Sequence, residues 1–299
     1  MADIKLFNIR DNVKELQSGT VNLEKELQTV IENNMNAFFG VTFLASEYRT
    51  TDGGRMDSIG IDENNCPVIF EYKRSVNESV INQGLFYLNW LLDHKDSFKV
   101  LVIEKLGLDK ADKIDWSMPR VVCIANDFTK YDESAIKQMN RNISLIRYRK
   151  FENDLLMFEQ VNENIADAIV NAQGDFSKKS KHMDKTFEER YQEASGSLKN
   201  LYDDVSKYIL SLGDDVSENK MKLYVAFKKI KNFTCVEISK DRLHLYLRLD
   251  ASKIQYEEGF SRDVSNIGHW GTGDVELSIK NNEDLMKAQT FISLAYNEN

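Results

Sequence analysis

The chain has 299 residues, 42% hydrophobic and 29% charged, with a formal net charge of −9. That is enough for two modest domains, and the acidity argues against a broadly basic nucleic-acid coat. No run of 18 apolar residues is present and MADIKLFNIRD has no basic-then-apolar pattern, so neither a membrane-spanning helix nor a leader is expected and a cytoplasmic setting is simplest.

IKLFNI is predicted as a short strand. In NLEKELQTVIENNMNAFFG, Leu23, Leu27, Val30, Ile31 and Met35 recur at helical spacing, with Gly40 as the stop. VTFLASEY is a strand and TTDGG a turn. RMDSIGI and CPVIFEYK are strands joined by the turn-rich tetrapeptide DENN. SVNESVINQGLFYLNWLLDHK is a long helix that Ser75 or Asn77 would cap. FKVLVIEKL and RVVCIAN are continuous apolar runs, expected as strands buried on both faces. DESAIKQMN reads as a helix, and ISLIRYRKFEN and LLMFEQV as two more strands. Residues 1–161 therefore read as an α/β domain, a mixed sheet flanked by helices.

Residues 162–186 are polar and locally basic and read as a linker, with Asn162–Ala172 a candidate helix. FEERYQEASGSLKNLYDDVSKYILSL is one or two helices. KMKLYVAFKKI, FTCVEISK and RLHLYLRL form a strand meander, GFSRDVSNIGHWGTGDVELSI is a loop leading into a strand, and NEDLMKAQTFISLAYNEN is a closing helix. Residues 187–299 thus form a smaller α+β domain, and the first domain is expected to stay folded without it. Residues 1–150 hold 20 Lys and Arg against 22 Asp and Glu, whereas the remainder holds 19 against 26. The first half is the better candidate for touching phosphates.

The chemistry concentrates in GRMDSIGIDENNCPVIFEYKRSV. Strand alternation puts Glu71 and Lys73 on one face with Tyr72 on the other, and a hairpin brings Asp57 alongside them. Two carboxylates and an ammonium suit a divalent cation and a water held against a phosphodiester, because Mg2+ takes few protein oxygens and keeps several waters. The carbonyl of Tyr72 would add a backbone oxygen, and Lys73 would orient the water or neutralise phosphate charge. From the first helix Glu24 or Glu26 could reach the site as an outer ligand, Glu24 being nearer the buried stripe. On the helix after EYK, Gln83 and Tyr87 share a face at i, i+4 and would bind phosphate oxygens or stack on a base.

This succession, an aspartate, then ExK on the next apolar strand, then QGLFY on a helix, resembles the PD-(D/E)xK nuclease superfamily, in particular the RecB-like branch with its QxxxY motif. Asp57 matches the lone aspartate, Glu71 and Lys73 the ExK pair, and Gln83 and Tyr87 the helix motif. LEKELQTVIENN looks like the acidic first helix of that core, so the resemblance covers roughly residues 20 to 130. Met56 stands where the motif's name has proline. The resemblance implies a restriction-endonuclease-like core and a nuclease using Mg2+ (or Mn2+) held by Asp57, Glu71 and Glu24. DNA would be the substrate, a homodimer the assembly, and DNA repair or defence against foreign DNA the setting. The alternatives are a non-catalytic nucleic-acid- or protein-binding module on that fold, or a ligand-sensing domain controlling a nuclease. The second half, through SLKNLYDDVSKYILSLGDDV and IGHWGTGDVEL, resembles the DUF5655 domain, which supplies no activity but leaves room for a protein or ligand partner.

Other features weigh less. His269–Asp274 (HWGTGD) is either a gripping loop or a turn whose Trp270 plugs the core. Lys178, Lys179 and Lys181 read as a solvated linker run. Arg141, Arg147, Arg149 and Lys150 cluster late in the first domain, and Arg147 with Arg149 could line a DNA groove. Cys66, Cys123 and Cys235 read as structural. His94, His182, His244 and His269 lack metal-ligand spacing.

Overall fold

The computed structural model describes residues 4–10, 13–19, 24–73, 80–152, 154–164 and 185–299. Three short strands come first, β1 (Leu6–Asn8), β2 (Lys14–Leu16) and β3 (Ser18–Gly19). The IKLFNI strand stands apart from the main sheet, because β1 pairs with β2 as a two-stranded ribbon. Helix α1 (Glu24–Phe39) buries Leu27, Ile31, Met35 and Phe39 along one stripe; Val30, off that stripe, is exposed. Gly40 ends it at φ +64, its N–H donating to the Asn36 carbonyl at 2.9 Å, the left-handed stop that favours glycine.

Strands β4 (Val41–Arg49), β5 (Arg55–Asp62) and β6 (Pro67–Lys73) form an antiparallel meander. Helices α2 (Val80–Asp93), α3 (Lys95–Leu106) and α4 (Leu108–Ala111) lead to β7 (Arg120–Ala125), which lies parallel to β6. Helix α5 (Lys130–Ile136) precedes β8 (Asn142–Phe151), parallel to β7, and β9 (Leu155–Asn164) returns antiparallel to β8. The order is β4-β5-β6-β7-β8, with β9 on β8 and β3 pairing at the end of β8. Along β6, Val68, Phe70 and Tyr72 join the core under α1, while Ile69 joins the core under α2 and α3. This is the mixed sheet flanked by helices that the sequence led one to expect, and its period-two alternation carries both cores.

One element differs. FKVLVIEKL is not a buried strand: it lies within helix α3. Phe98, Leu101 and Val102 are buried at i, i+3, i+4, while Val100, Ile103 and Leu106 are exposed. Apolar residues lie on several sides of the run, with Lys99, Glu104 and Lys105 among them, so its periodicity was hidden, and packing against one side selects the helix. Asn162–Asn164, part of the candidate linker helix, instead end β9. Ser75, Asn77, Lys178, Lys179, Lys181 and His182 lie outside the described residues.

The second domain starts with α6 (Phe187–Glu193) and α7 (Gly196–Leu210), separated where Ser195 caps α7 by accepting the Leu198 N–H. Strands β10 (Ser217–Lys220), β11 (Val225–Lys228), β12 (Asn232–Ile238), β13 (Leu243–Leu247), β14 (Ser261–Asp263) and β15 (Val275–Ile279) make an antiparallel sheet of order β10-β11-β12-β13-β15-β14. Helix α8 (Asn282–Glu298) closes the chain. Val225, Phe227, Leu245 and Leu277 share a core with Val205 and Ile209 of α7 and Ile292 of α8. On the other face Tyr224, Ala226, Cys235 and Tyr246 pack with Cys66 and Met118 of the first domain.

Candidate active site

Strands β5 and β6 pair from Ile61↔Pro67 to Ser58↔Phe70. Beyond Ser58 side chains take over the bonding. Asp57 Oδ2 accepts the backbone N–H of Tyr72 at 3.0 Å, and Glu71 Oε1 accepts the N–H of Asp57 at 3.3 Å. Backbone donors there find carboxylates in place of ladder carbonyls. The exchange sets the two carboxyl groups beside each other, close enough to share a hydrogen bond.

Glu71 is 1% exposed. Burial pushes its carboxyl up, the Asp57 charge adds to this, and the Lys73 ammonium only partly offsets them, leaving it at about 9. Burial also raises Asp57, against the Tyr72 N–H and Lys73. Neighbouring buried carboxyls that resist charging together are stabilised by a shared proton or a bound cation. Lys73 pairs with Glu24 at 3.8 Å. Glu26 turns outward to Lys150 at 3.1 Å, so of the two first-helix acids Glu24 faces the site.

Helix α1 contributes more than Glu24. Gln28, buried, has its amide nitrogen 2.8 Å from the Asp57 carbonyl, 2.8 Å from Glu32 Oε1 and 3.1 Å from Ser46 Oγ. Glu32 Oε1 also accepts the Ser58 hydroxyl at 2.6 Å, and Ser58 Oγ accepts the Tyr72 hydroxyl at 3.1 Å. Tyr72, Ser58, Glu32, Gln28 and Asp57 thereby form a closed circuit of hydrogen bonds around the point where the ladder ends. Sequence reasoning missed Gln28 and Glu32. The signal was a polar side chain every four residues, Glu24, Gln28, Glu32, beside the buried Leu27 and Ile31.

Tyr87 is buried, and its hydroxyl accepts the Arg55 N–H at 3.2 Å, two residues from Asp57. Gln83, one turn earlier on α2, is exposed. Glu47 bridges Lys25 at 3.0 Å and Arg55 at 2.7 Å, two cations at the rim. The structure sends other candidates elsewhere. Arg147 is buried between Asp127 and Glu159, at 2.8 and 2.7 Å, and lines no groove. Trp270 does not plug the core, being 42% exposed. The three cysteines are free and buried, as read.

Among the described residues, no three His, Cys, Asp or Glu side chains already converge as a metal cluster. Asp57 and Glu71 remain as an adjacent pair. Nor, among those residues, is any helix long and apolar enough to cross a membrane.

Residues 183–299 match the family described as a domain of unknown function, DUF5655. A Haemophilus influenzae relative, called only an uncharacterized protein, is 29% identical over 301 residues, spanning 98% of this chain and 99% of its own. Among solved structures, a repair endonuclease from Pyrococcus abyssi overlaps 48% of this chain at 14% identity and a TM-score of 0.30. The EndoMS-dsDNA2 complex overlaps 48% at 16% identity and a TM-score of 0.26. The overlap spans 65% of the first of these structures and 64% of the second.

Proposed function

We propose that the first domain is a metal-dependent endonuclease that hydrolyses phosphodiester bonds in DNA. The observation that carries this reading is the adjacency of the Asp57 and Glu71 carboxyls, with Lys73 two residues along the same strand. A buried and a half-buried carboxyl pushed together, both raised, suit a divalent cation, and Mg2+ or Mn2+ would complete its shell from the Tyr72 carbonyl and water. When bound, that cation supplies Lewis-acid polarisation of the phosphate and a more acidic water. The residues themselves orient and exclude. Gln28 fixes the Asp57 backbone, Glu24 holds the Lys73 ammonium near the carboxyl pair, and Lys73 offers its charge to a phosphate oxygen. Tyr87 steadies the start of β5 through Arg55, and exposed Gln83 is available to a phosphate or base.

The retained carboxyl pair and lysine speak against a purely non-catalytic module. One such site cuts one strand, so a homodimer on duplex DNA follows, in repair or in defence against foreign DNA. The test is a panel of single-stranded, duplex, mismatched and modified DNA, with RNA beside it, incubated with the full chain and Mg2+ or Mn2+. Cleavage of a DNA substrate that Asp57→Asn and Lys73→Ala abolish supports the reading. A panel left uncut, or variants that cut like the parent, overturns it.

A further inference from the structure

The two sheets meet over the turn that joins β5 to β6, at the opposite end of the hairpin from Asp57 and Glu71. Asp62 organises the turn by accepting the N–H groups of Asn64 and Cys66, both at 2.9 Å. Its outward polar groups are satisfied from the second domain. Glu63 accepts the Asn232 N–H at 2.6 Å and pairs with Arg248. Asn64 Oδ1 accepts the Tyr224 hydroxyl at 2.9 Å and the Asn232 side-chain amide at 2.7 Å. The same amide lies 3.1 Å from Thr272 Oγ1, which brings the HWGTGD loop into the contact. Asn64 and Asn232 are buried, and polar groups so placed need their partners.

The seam beside the turn is charged and buried. Lys228 reaches Glu163 at 2.5 Å, and Arg120 lies 3.6 Å from Asp62, all four within or bordering one small buried space. Lys231 donates to the Ala37 carbonyl at 3.0 Å, just before the end of α1. Removing either member of such a buried pair leaves an uncompensated charge. The sequence leads one to expect the first domain to stay folded without residues 187–299. Deletion would strip Glu163 of Lys228 and expose Cys66 and Met118.

We infer that the second domain is a brace for the catalytic hairpin: Tyr224, Asn232 and Arg248 grip the far turn and so set where β5 and β6 part. The path is short and stiff. Ser58 through Ile61 and Pro67 through Phe70 are buried in the middle of the sheet and paired without a break. At about 3.3 Å per residue the turn and the carboxyl pair are on the order of 15 Å apart. Close-packed strands transmit a displacement over that distance. Tyr224, Asn232 and Arg248 are positioning residues, since their contacts are with the turn and none with the carboxyl pair. For catalysis the inference rests on the nuclease reading; for the mechanics of the hairpin it does not.

The test uses full-length chains carrying Asn232→Ala, Arg248→Ala, Arg248→Lys or Tyr224→Phe, with Lys199→Ala on the far side as control. Amide hydrogen exchange is followed by peptide. The expected result is exchange about tenfold faster across residues 57–61 and 67–72 in the alanine variants, with α7 and α8 unchanged and Arg248→Lys near the parent. On any DNA that the parent cuts, kcat falls about tenfold while KM holds, the mark of displaced groups rather than lost binding. Should Asn232→Ala fail to fold, Tyr224→Phe, which removes one hydroxyl, carries the same measurement. Faster exchange confined to residues 62–66, or no change at all, overturns the brace. If the parent cuts nothing, the nuclease reading fails and the exchange data alone decide the brace.

Discussion

The carboxylate of Asp57 is hydrogen-bonded to the backbone N–H of Tyr72, the residue after Glu71. One side chain thus serves both as a proposed cation ligand and as the closure of the gap between two strands. The two roles are separable by substitution. Asp57→Asn keeps an acceptor for Tyr72 and is expected to melt close to the parent while losing at least about 100-fold in cleavage. Asp57→Ala removes the acceptor too and should cost about 1–3 kcal/mol in addition. Thermal melts beside a cleavage assay check both, and equal melting of the two variants would contradict the structural role.

Gln28 ties α1 to the Asp57 carbonyl, Glu32 and Ser46. Truncation in Gln28→Ala leaves partly buried acceptors without their donor, and we expect a loss of about 1–3 kcal/mol. Urea denaturation followed by circular dichroism reads this directly. A variant as stable as the parent would show that the circuit around the end of the ladder is not stabilising.

Gly84 sits in α2 between Gln83 and Tyr87, where an added Cβ would lie 2.4 Å from Val121 Cγ1 on β7. Gly84→Ala is therefore expected to destabilise by about 1–3 kcal/mol through overpacking, although alanine is the better helix former. Val121→Ala in the same chain should restore part of the loss. A double-mutant cycle of melting temperatures measures the coupling, and strict additivity would argue against the contact.

Glu276 gives a pH dependence with a definite sign. Burial alone would raise its carboxyl, but hydrogen bonds from His244 and Arg262 outweigh burial and hold it at about 2, below its ordinary 4.5. A carboxyl depressed by folding stabilises the fold fully above its unfolded value, and that stability is lost as pH falls from about 4.5 towards 2. Glu276→Gln should flatten the acid limb of stability in that window and leave the slope above pH 5 unchanged, as read by urea midpoints at successive pH values.

Much of this molecule is legible in the chain. The hairpin and the face shared by Glu71 and Lys73 follow from strand alternation, and the second domain's strands from their apolar runs. What escaped was decided by tertiary packing. FKVLVIEKL scatters its apolar residues around the helix with Lys99, Glu104 and Lys105 between them, so no clean helical stripe distinguishes a helix packed on one side from a buried strand. Arg147 looked like a groove residue because Asp127 and Glu159, which neutralise it, are distant in sequence. Gln28 carries no motif that singles it out, although it is buried against β5.

The turn from Asp62 to Asn65 has a consequence for anyone wishing to recombine this protein. It is a key cut for one lock: Glu63 and Asn64 are shaped to a recess made of Tyr224, Asn232 and Arg248. A chimera that joined this second domain to another first domain would have to import those four residues as well. The hybrid boundary for grafting is thus split across the chain, with one piece near residue 63 and the other beyond residue 186.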